Sequence, residues 1–117
     1  MSDIIRLVTN ARRGRAVIYN GILSIGGQTA ADCSSDVRSQ MEQTLQRIDE
    51  ILAEVGTDRS RLLTAQIWLK NIERDFAVMN EVWDSWIDPA TAPTRATAQC
   101  EMASPRVLVE IIITAAA

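Results

Sequence analysis

Histidine is absent from this 117-residue sequence. That removes Ser/His/Asp and Cys/His nucleophile schemes together with histidine-based zinc sites, so proton chemistry must rest on carboxylates, thiols, tyrosine, amines or bound water. Cysteine occurs twice, at Cys33 and Cys100, too sparsely for a disulfide framework and without metal-ligand spacing. Reduced thiols are the expectation, and no neighbouring thiol supports a redox role for Cys33. There is no G-x-G-x-x-G and no P-loop, so Gly26-Gly27 alone makes no phosphate cradle. No apolar run is long enough to span a bilayer, and MSDIIRLVTNARRGR carries neither a signal-peptide core nor a transit-peptide composition. A membrane is therefore not an expected partner, and a cytoplasmic location is expected. Repeats, low-complexity stretches and linkers are also missing, which leaves one domain over residues 1–117. Twelve basic against fifteen acidic side chains give a net charge of −3, and basic residues are not interleaved with aromatics. Nucleic acid is accordingly not an expected partner.

What is present organises the chain into short strands and two helices. IIRLVT, Ile4 to Thr9, reads as a first strand. AVIYNGILSIGG then places Asn20-Gly21 between two β-rich runs, the signal for a two-residue type I′ hairpin. After Gly26-Gly27-Gln28, the residues Asp32, Ser34, Ser35 and Asp36 are suited to start a helix. Val37, Met41, Leu45, Ile48, Leu52 and Val55 recur at spacings of three and four, and Gly56 stops the helix. RLLTAQIWLK, Arg61 to Lys70, alternates as a strand with Leu63, Ala65, Ile67 and Leu69 on one face and Thr64, Gln66 and Trp68 on the other. Phe76, Met79, Trp83 and Trp86 form the apolar stripe of a second helix, closed by Asp88-Pro89. TRATAQCEMA, Thr94 to Ala103, alternates Ala96, Ala98, Cys100 and Met102 against Arg95, Thr97, Gln99 and Glu101.

The last strand, VLVEIIIT from Val107 to Thr114, carries Val107, Val109, Ile111 and Ile113 on one face. Leu108 and Ile112 make the other face apolar too. These elements imply an α+β domain, a mixed sheet with two helices on one face and the other face covered by another subunit. Glu110 interrupts the apolar strand, and a charge there needs solvent or a partner. Alternation places Glu110 beside Leu108 and Ile112, and Arg95 opposite Ala96 and Ala98, with Cys100 pointing toward the helices. If the last two strands are neighbours, Arg95 and Glu110 share the helix-free face, either as a structural ion pair or as a site for a carboxylate ligand. ARRGR, Ala11 to Arg15, reads as a solvated turn or as an anion-binding lip.

APTRATAQC followed by SPRVLVEI, with GGQTA after the hairpin, a long helix ending in EVG, and NIERDFAVMN, resembles the RidA (YjgF, L-PSP) family of reactive-intermediate deaminases over nearly the whole chain. The resemblance implies a chorismate-mutase-like (YjgF-like) subunit of a homotrimer, with ligand clefts between subunits and no cofactor or metal. It implies hydrolysis of reactive 2-imino and enamino acids to 2-oxo acids and ammonia. The alternative is a non-catalytic trimer that binds small carboxylates such as 2-oxo acids in a sensing or regulatory role. By position, Arg95 matches the arginine that holds the substrate carboxylate, Glu110 the glutamate that directs water, and Asn80 a helix asparagine near the cleft. Three positions depart from the usual pattern: Arg13 stands where a cleft tyrosine is typical, Gly26 where a serine is frequent, and Thr97 where a cysteine is often seen. Arg13 thus offers a second cation that would favour an acidic or larger substrate, and Gly26 widens the site. RNA cleavage has been attributed to some members, and ARRGR is the only feature here that would suit it.

Overall fold

The computed structural model describes residues 3–117. Its strands are β1 (Ile5–Thr9), β2 (Gly14–Tyr19), β3 (Ile22–Gln28), β4 (Leu62–Leu69), β5 (Thr94–Gln99) and β6 (Val109–Ala116); its helices are α1 (Val37–Glu54) and α2 (Ile72–Trp86). They form one sheet in the order β1-β2-β3-β6-β4-β5. Neighbours are antiparallel except β4 and β5, which run parallel and are joined through α2. Local chemistry accounts for the turns. Asn20 and Gly21 take φ of 51° and 75° in the β2–β3 hairpin, and Gly56 takes 78° just beyond α1. Asp36 caps α1 by accepting a hydrogen bond from the Ser39 amide at 2.9 Å.

Both helices lie on one face of the sheet, as alternation implied. Met41, Leu45, Ile48 and Leu52 of α1 and Met79 and Trp83 of α2 pack against Leu23, Ile25, Ala65, Ile67, Leu69, Val109, Ile111 and Ile113. Each large aliphatic side chain so buried contributes roughly 1.5–3 kcal/mol. The opposite face carries no helix. There the strand registers align Ser24, Thr114, Thr64 and Thr94 in one row and Ile112, Gln66 and Ala96 in the next.

Four details differ from the sequence reading. Leu63 is 41% exposed whereas Leu62 is buried, because the β4–β6 register shifts between Leu62 and Thr64 and moves Leu63 off the core face. Phe76 stands outside the buried stripe of α2, and Asp75 takes a core-facing position there, with its carboxylate held by Arg74 at 2.7 Å. The strand at Thr94 ends at Gln99, so Cys100 and Met102 follow no strand alternation; β6 begins at Val109 rather than Val107.

One buried polar residue ties the domain together. Gln40 of α1 is fully buried; its Nε2 donates to the carbonyls of Ser35 and Arg106 at 3.0 Å and of Cys33 at 3.3 Å, and its Oε1 accepts from the Leu108 amide at 2.9 Å. A single side chain thereby satisfies both the loop entering α1 and the segment entering β6.

Candidate functional site

Glu110 follows from the alternation of β6. Val109 and Ile111 are buried toward the helices, so Glu110 projects onto the helix-free face, paired in register with Trp68 of β4. Its other flank is a bulge in β3. Between the pairs Ile25–Ile113 and Gln28–Ile111, β3 has two residues, Gly26 and Gly27, where β6 has one, Ile112. A Cβ on Gly27 would lie 3.0 Å from Glu110 Cδ and 3.3 Å from Cγ, so glycine is required for the carboxyl group to rest there. Glu110 is half-buried, and its carboxylate has no ion-pair partner within 4 Å among the described residues.

Arg13 reaches the same bulge. Its Nη1 is 3.7 Å from where a Cβ on Gly26 would stand. The turn that carries it is held by Asn10, whose Oδ1 accepts from the amides of Arg12 at 2.8 Å and Arg13 at 2.9 Å. The Asn10 amide in turn donates to the Arg13 carbonyl. Arg13, Gly26, Gly27 and Glu110 thus meet at one bulge within a single chain.

Arg95 is not part of it, which corrects the expectation that Arg95 and Glu110 share a face. In the parallel β4–β5 register Arg95 pairs with Ala65 and Thr97 with Ile67, both core-facing, so Arg95 and Thr97 point to the helix side. Ala96 and Ala98 are the exposed residues on the helix-free face. The physical reason is that β5 is an edge strand. Its arginine lays an apolar stem against α2, with the guanidinium 5.6 Å from the Trp83 ring centroid and 3.9 Å from Met79 Sδ. Nor are β5 and β6 neighbours, since β4 runs between them.

Two strand spacings and three residues of rise set Arg95 and Glu110 roughly 10 Å apart across the sheet and roughly 10 Å along it, on opposite faces. Arg95 is half-buried and likewise lacks an acidic partner within 4 Å among the described residues. Near it on the same strand, the Thr97 hydroxyl is buried without a hydrogen-bond partner. Asn80 is half-buried on α2, between Met79 and the Trp83 that underlies Arg95. The six candidate residues therefore sort into two half-sites: Arg13, Gly26 and Glu110 at the bulge, and Arg95 and Thr97 beside α2, with Asn80 on that helix.

Sequence reasoning missed Gly27, Trp68, Met79 and Trp83. The Gly-Gly pair is a signal for close backbone approach, whereas the spacing of Trp68, Met79 and Trp83 is accounted for by strand and helix packing. Among the described residues, no cluster of acidic, cysteine or histidine side chains is arranged to hold a metal ion, and no helix is long and apolar enough to cross a membrane.

The family described as Endoribonuclease L-PSP matches residues 6–117, and the chain belongs to it. A RutC family protein of Haemophilus ducreyi is 42% identical over 113 residues, covering 97% of this chain and 96% of that protein. The crystal structure of a YjgF family member from Neisseria meningitidis superposes with a TM-score of 0.93 at 36% identity, over 97% of this chain and 94% of that one. Reactive Intermediate Deaminase A of Arabidopsis thaliana, chloroplastic, is 34% identical over 83 residues, 71% of this chain and 43% of its own length.

Proposed function

We propose that this protein is a cofactor-independent deaminase that hydrolyses 2-imino acids, and their enamine tautomers, to 2-oxo acids and ammonia in clefts between the subunits of a homotrimer. The observation that carries the reading is the placement of Arg95 and Glu110. Both are half-buried ions without a counter-ion among the described residues, and they lie on opposite faces of one sheet, where a single chain cannot bring them to one small ligand. A cyclic assembly in which the β5 border of one subunit meets the helix-free face of the next solves this, since each cleft then takes Arg95 from one copy and Glu110 from its neighbour. Tyr19 and Ile22, both more than 40% exposed on the helix-free face, supply apolar area for that contact.

The chemistry follows from the residue types. The Arg95 fork binds the substrate carboxylate by charge-assisted hydrogen bonds and fixes the imine carbon. Glu110 accepts a proton from water as the oxygen attacks that carbon, then delivers it to the imine nitrogen, giving a carbinolamine. It next takes the carbinolamine hydroxyl proton and passes it to the amino group. The C–N bond breaks, ammonia leaves with the bonding electron pair, and the C=O bond forms. Thr97 and Asn80 line the cleft beside Arg95 and orient the substrate.

Ammonia release from imino acids generated in situ by an amino-acid oxidase tests the reading. Wild-type protein is expected to accelerate release, and Arg95→Ala to lower kcat/KM by about 10²-fold or more through loss of the carboxylate anchor. Full activity in that variant would contradict the assignment. A carboxylate-binding sensor, the reading favoured by the cationic Arg13 and the hydroxyl-free Gly26 at the bulge, would bind 2-oxo acids and leave the imine untouched.

A further inference from the structure

We infer that Arg13 is a specificity residue, and that the cleft is built for 2-imino dicarboxylic acids. The inference rests on the deaminase reading for the reaction but on separate residues for the ligand. Three arginines crowd the β1–β2 turn, and they are not equivalent. Arg15 is engaged by Glu54 of α1 at 3.6 Å. Arg12 has its amide fixed by Asn10, and nothing directs its side chain at the bulge. Arg13 is the one of the three whose side chain lies against Gly26, beside the backbone carbonyls of Gly14 and Arg15; its backbone is pinned from both sides by Asn10, and its guanidinium has neither an ion pair nor a hydrogen bond among the described residues.

Placement at the bulge defines what this cation can read. The Glu110 carboxyl group rests against Gly27 and the Arg13 guanidinium against the adjacent Gly26, so both side-chain ends serve one stretch of β3. In an imino acid whose first carboxylate is anchored by Arg95 of the neighbouring subunit and whose reacting carbon faces Glu110, a second carboxylate on the substrate's side chain is received by Arg13. Without Arg13 that carboxylate would approach Glu110 as a like charge; with it, the second anion is neutralised by a fork suited to carboxylates. A neutral side chain at this place finds a solvated cation and gains nothing from it.

Isothermal titration with two stable 2-oxo acids of equal length, 2-oxoglutarate and 2-oxopentanoate, separates this inference from the reaction. Wild-type protein is expected to bind 2-oxoglutarate at least about tenfold more tightly. The ratio should collapse toward one in Arg13→Gln and persist in Arg12→Gln. Equal affinities in the wild type, no binding of either acid, or an unchanged ratio in Arg13→Gln would overturn the assignment. An equal weakening of both ligands in Arg13→Gln would overturn it as well, making Arg13 a general support for Glu110. If the Arg13-dependent preference holds but no imine is hydrolysed, the deaminase reading fails and the ligand assignment stands. If imines from alanine and glutamate are hydrolysed alike and Arg13→Gln changes nothing, only the ligand assignment fails.

Discussion

Gly27→Ala is expected to lower imine hydrolysis by about 10²-fold while the melting temperature moves by only a few degrees. The added methyl group would overlap the Glu110 carboxyl group, with Cδ at 3.0 Å and Cγ at 3.3 Å from the new carbon. The end of a flexible side chain yields more readily than backbone, so Glu110 rotates away and the fold survives. A displacement of about 1 Å in a group proposed to aim a water at one carbon atom is enough to cost about 10²-fold in rate. Steady-state ammonia release, with a thermal melt of the same sample, checks both halves. Full activity in a stable Gly27→Ala protein would mean that Glu110 is not held at the bulge during the reaction.

Gln40→Leu should have the opposite signature, a large loss of stability. Leucine fills similar volume but leaves the Leu108 amide and the carbonyls of Ser35 and Arg106 without their partner in a buried setting. Each unsatisfied buried group costs about 1–3 kcal/mol, so a total of about 3–5 kcal/mol is expected. Against the stability of an ordinary domain, that is a fall of about 10–20 °C in Tm. Differential scanning calorimetry reads it directly. Because the lost bonds anchor the segment just before β6, amide exchange at Leu108 should accelerate more than at Ile48 in the middle of α1. A melting temperature within 3 °C or so of wild type would show that solvent replaces the amide.

These two residues also show where a sequence is readable. The hairpin at Asn20-Gly21 and the Gly56 stop are legible because each is decided by residues within a few positions of itself, whereas Asp32, Ser34, Ser35 and Asp36 suit a helix start equally and the structure selects Asp36. Glu110 was placed on the helix-free face from its neighbours, since Val109, Ile111 and Ile113 leave little choice about which side of β6 is buried. Arg95 was misplaced because alternation tells which residues share a face but not which face is inside. On an edge strand, small alanines can face outward while an arginine stem packs over Trp83 and Met79. Leu63 was misplaced by a register shift that only the pairing with β6 creates. Gln40 was invisible for the same kind of reason, because one of its acceptors, the Arg106 carbonyl, is 66 residues away in the chain. Family membership, in contrast, rested on short motifs in a common order, and residues 6–117 bear it out.

The separation of Arg95 and Glu110 onto opposite faces gives the direct test of a site shared between subunits. Arg95→Ala and Glu110→Gln, each expected to be nearly inactive alone, would be co-expressed in equal amounts so that subunits of the proposed trimer mix. In a mixed ring some clefts combine Arg95 from a Glu110→Gln subunit with Glu110 from an Arg95→Ala subunit, and random assortment makes about one cleft in four intact. Recovery of roughly a quarter of wild-type ammonia release is therefore expected, from two proteins that have almost none separately. No recovery in verified mixed trimers would contradict a cleft built from both copies, and with it the proposed division of Arg95 and Glu110 between neighbours.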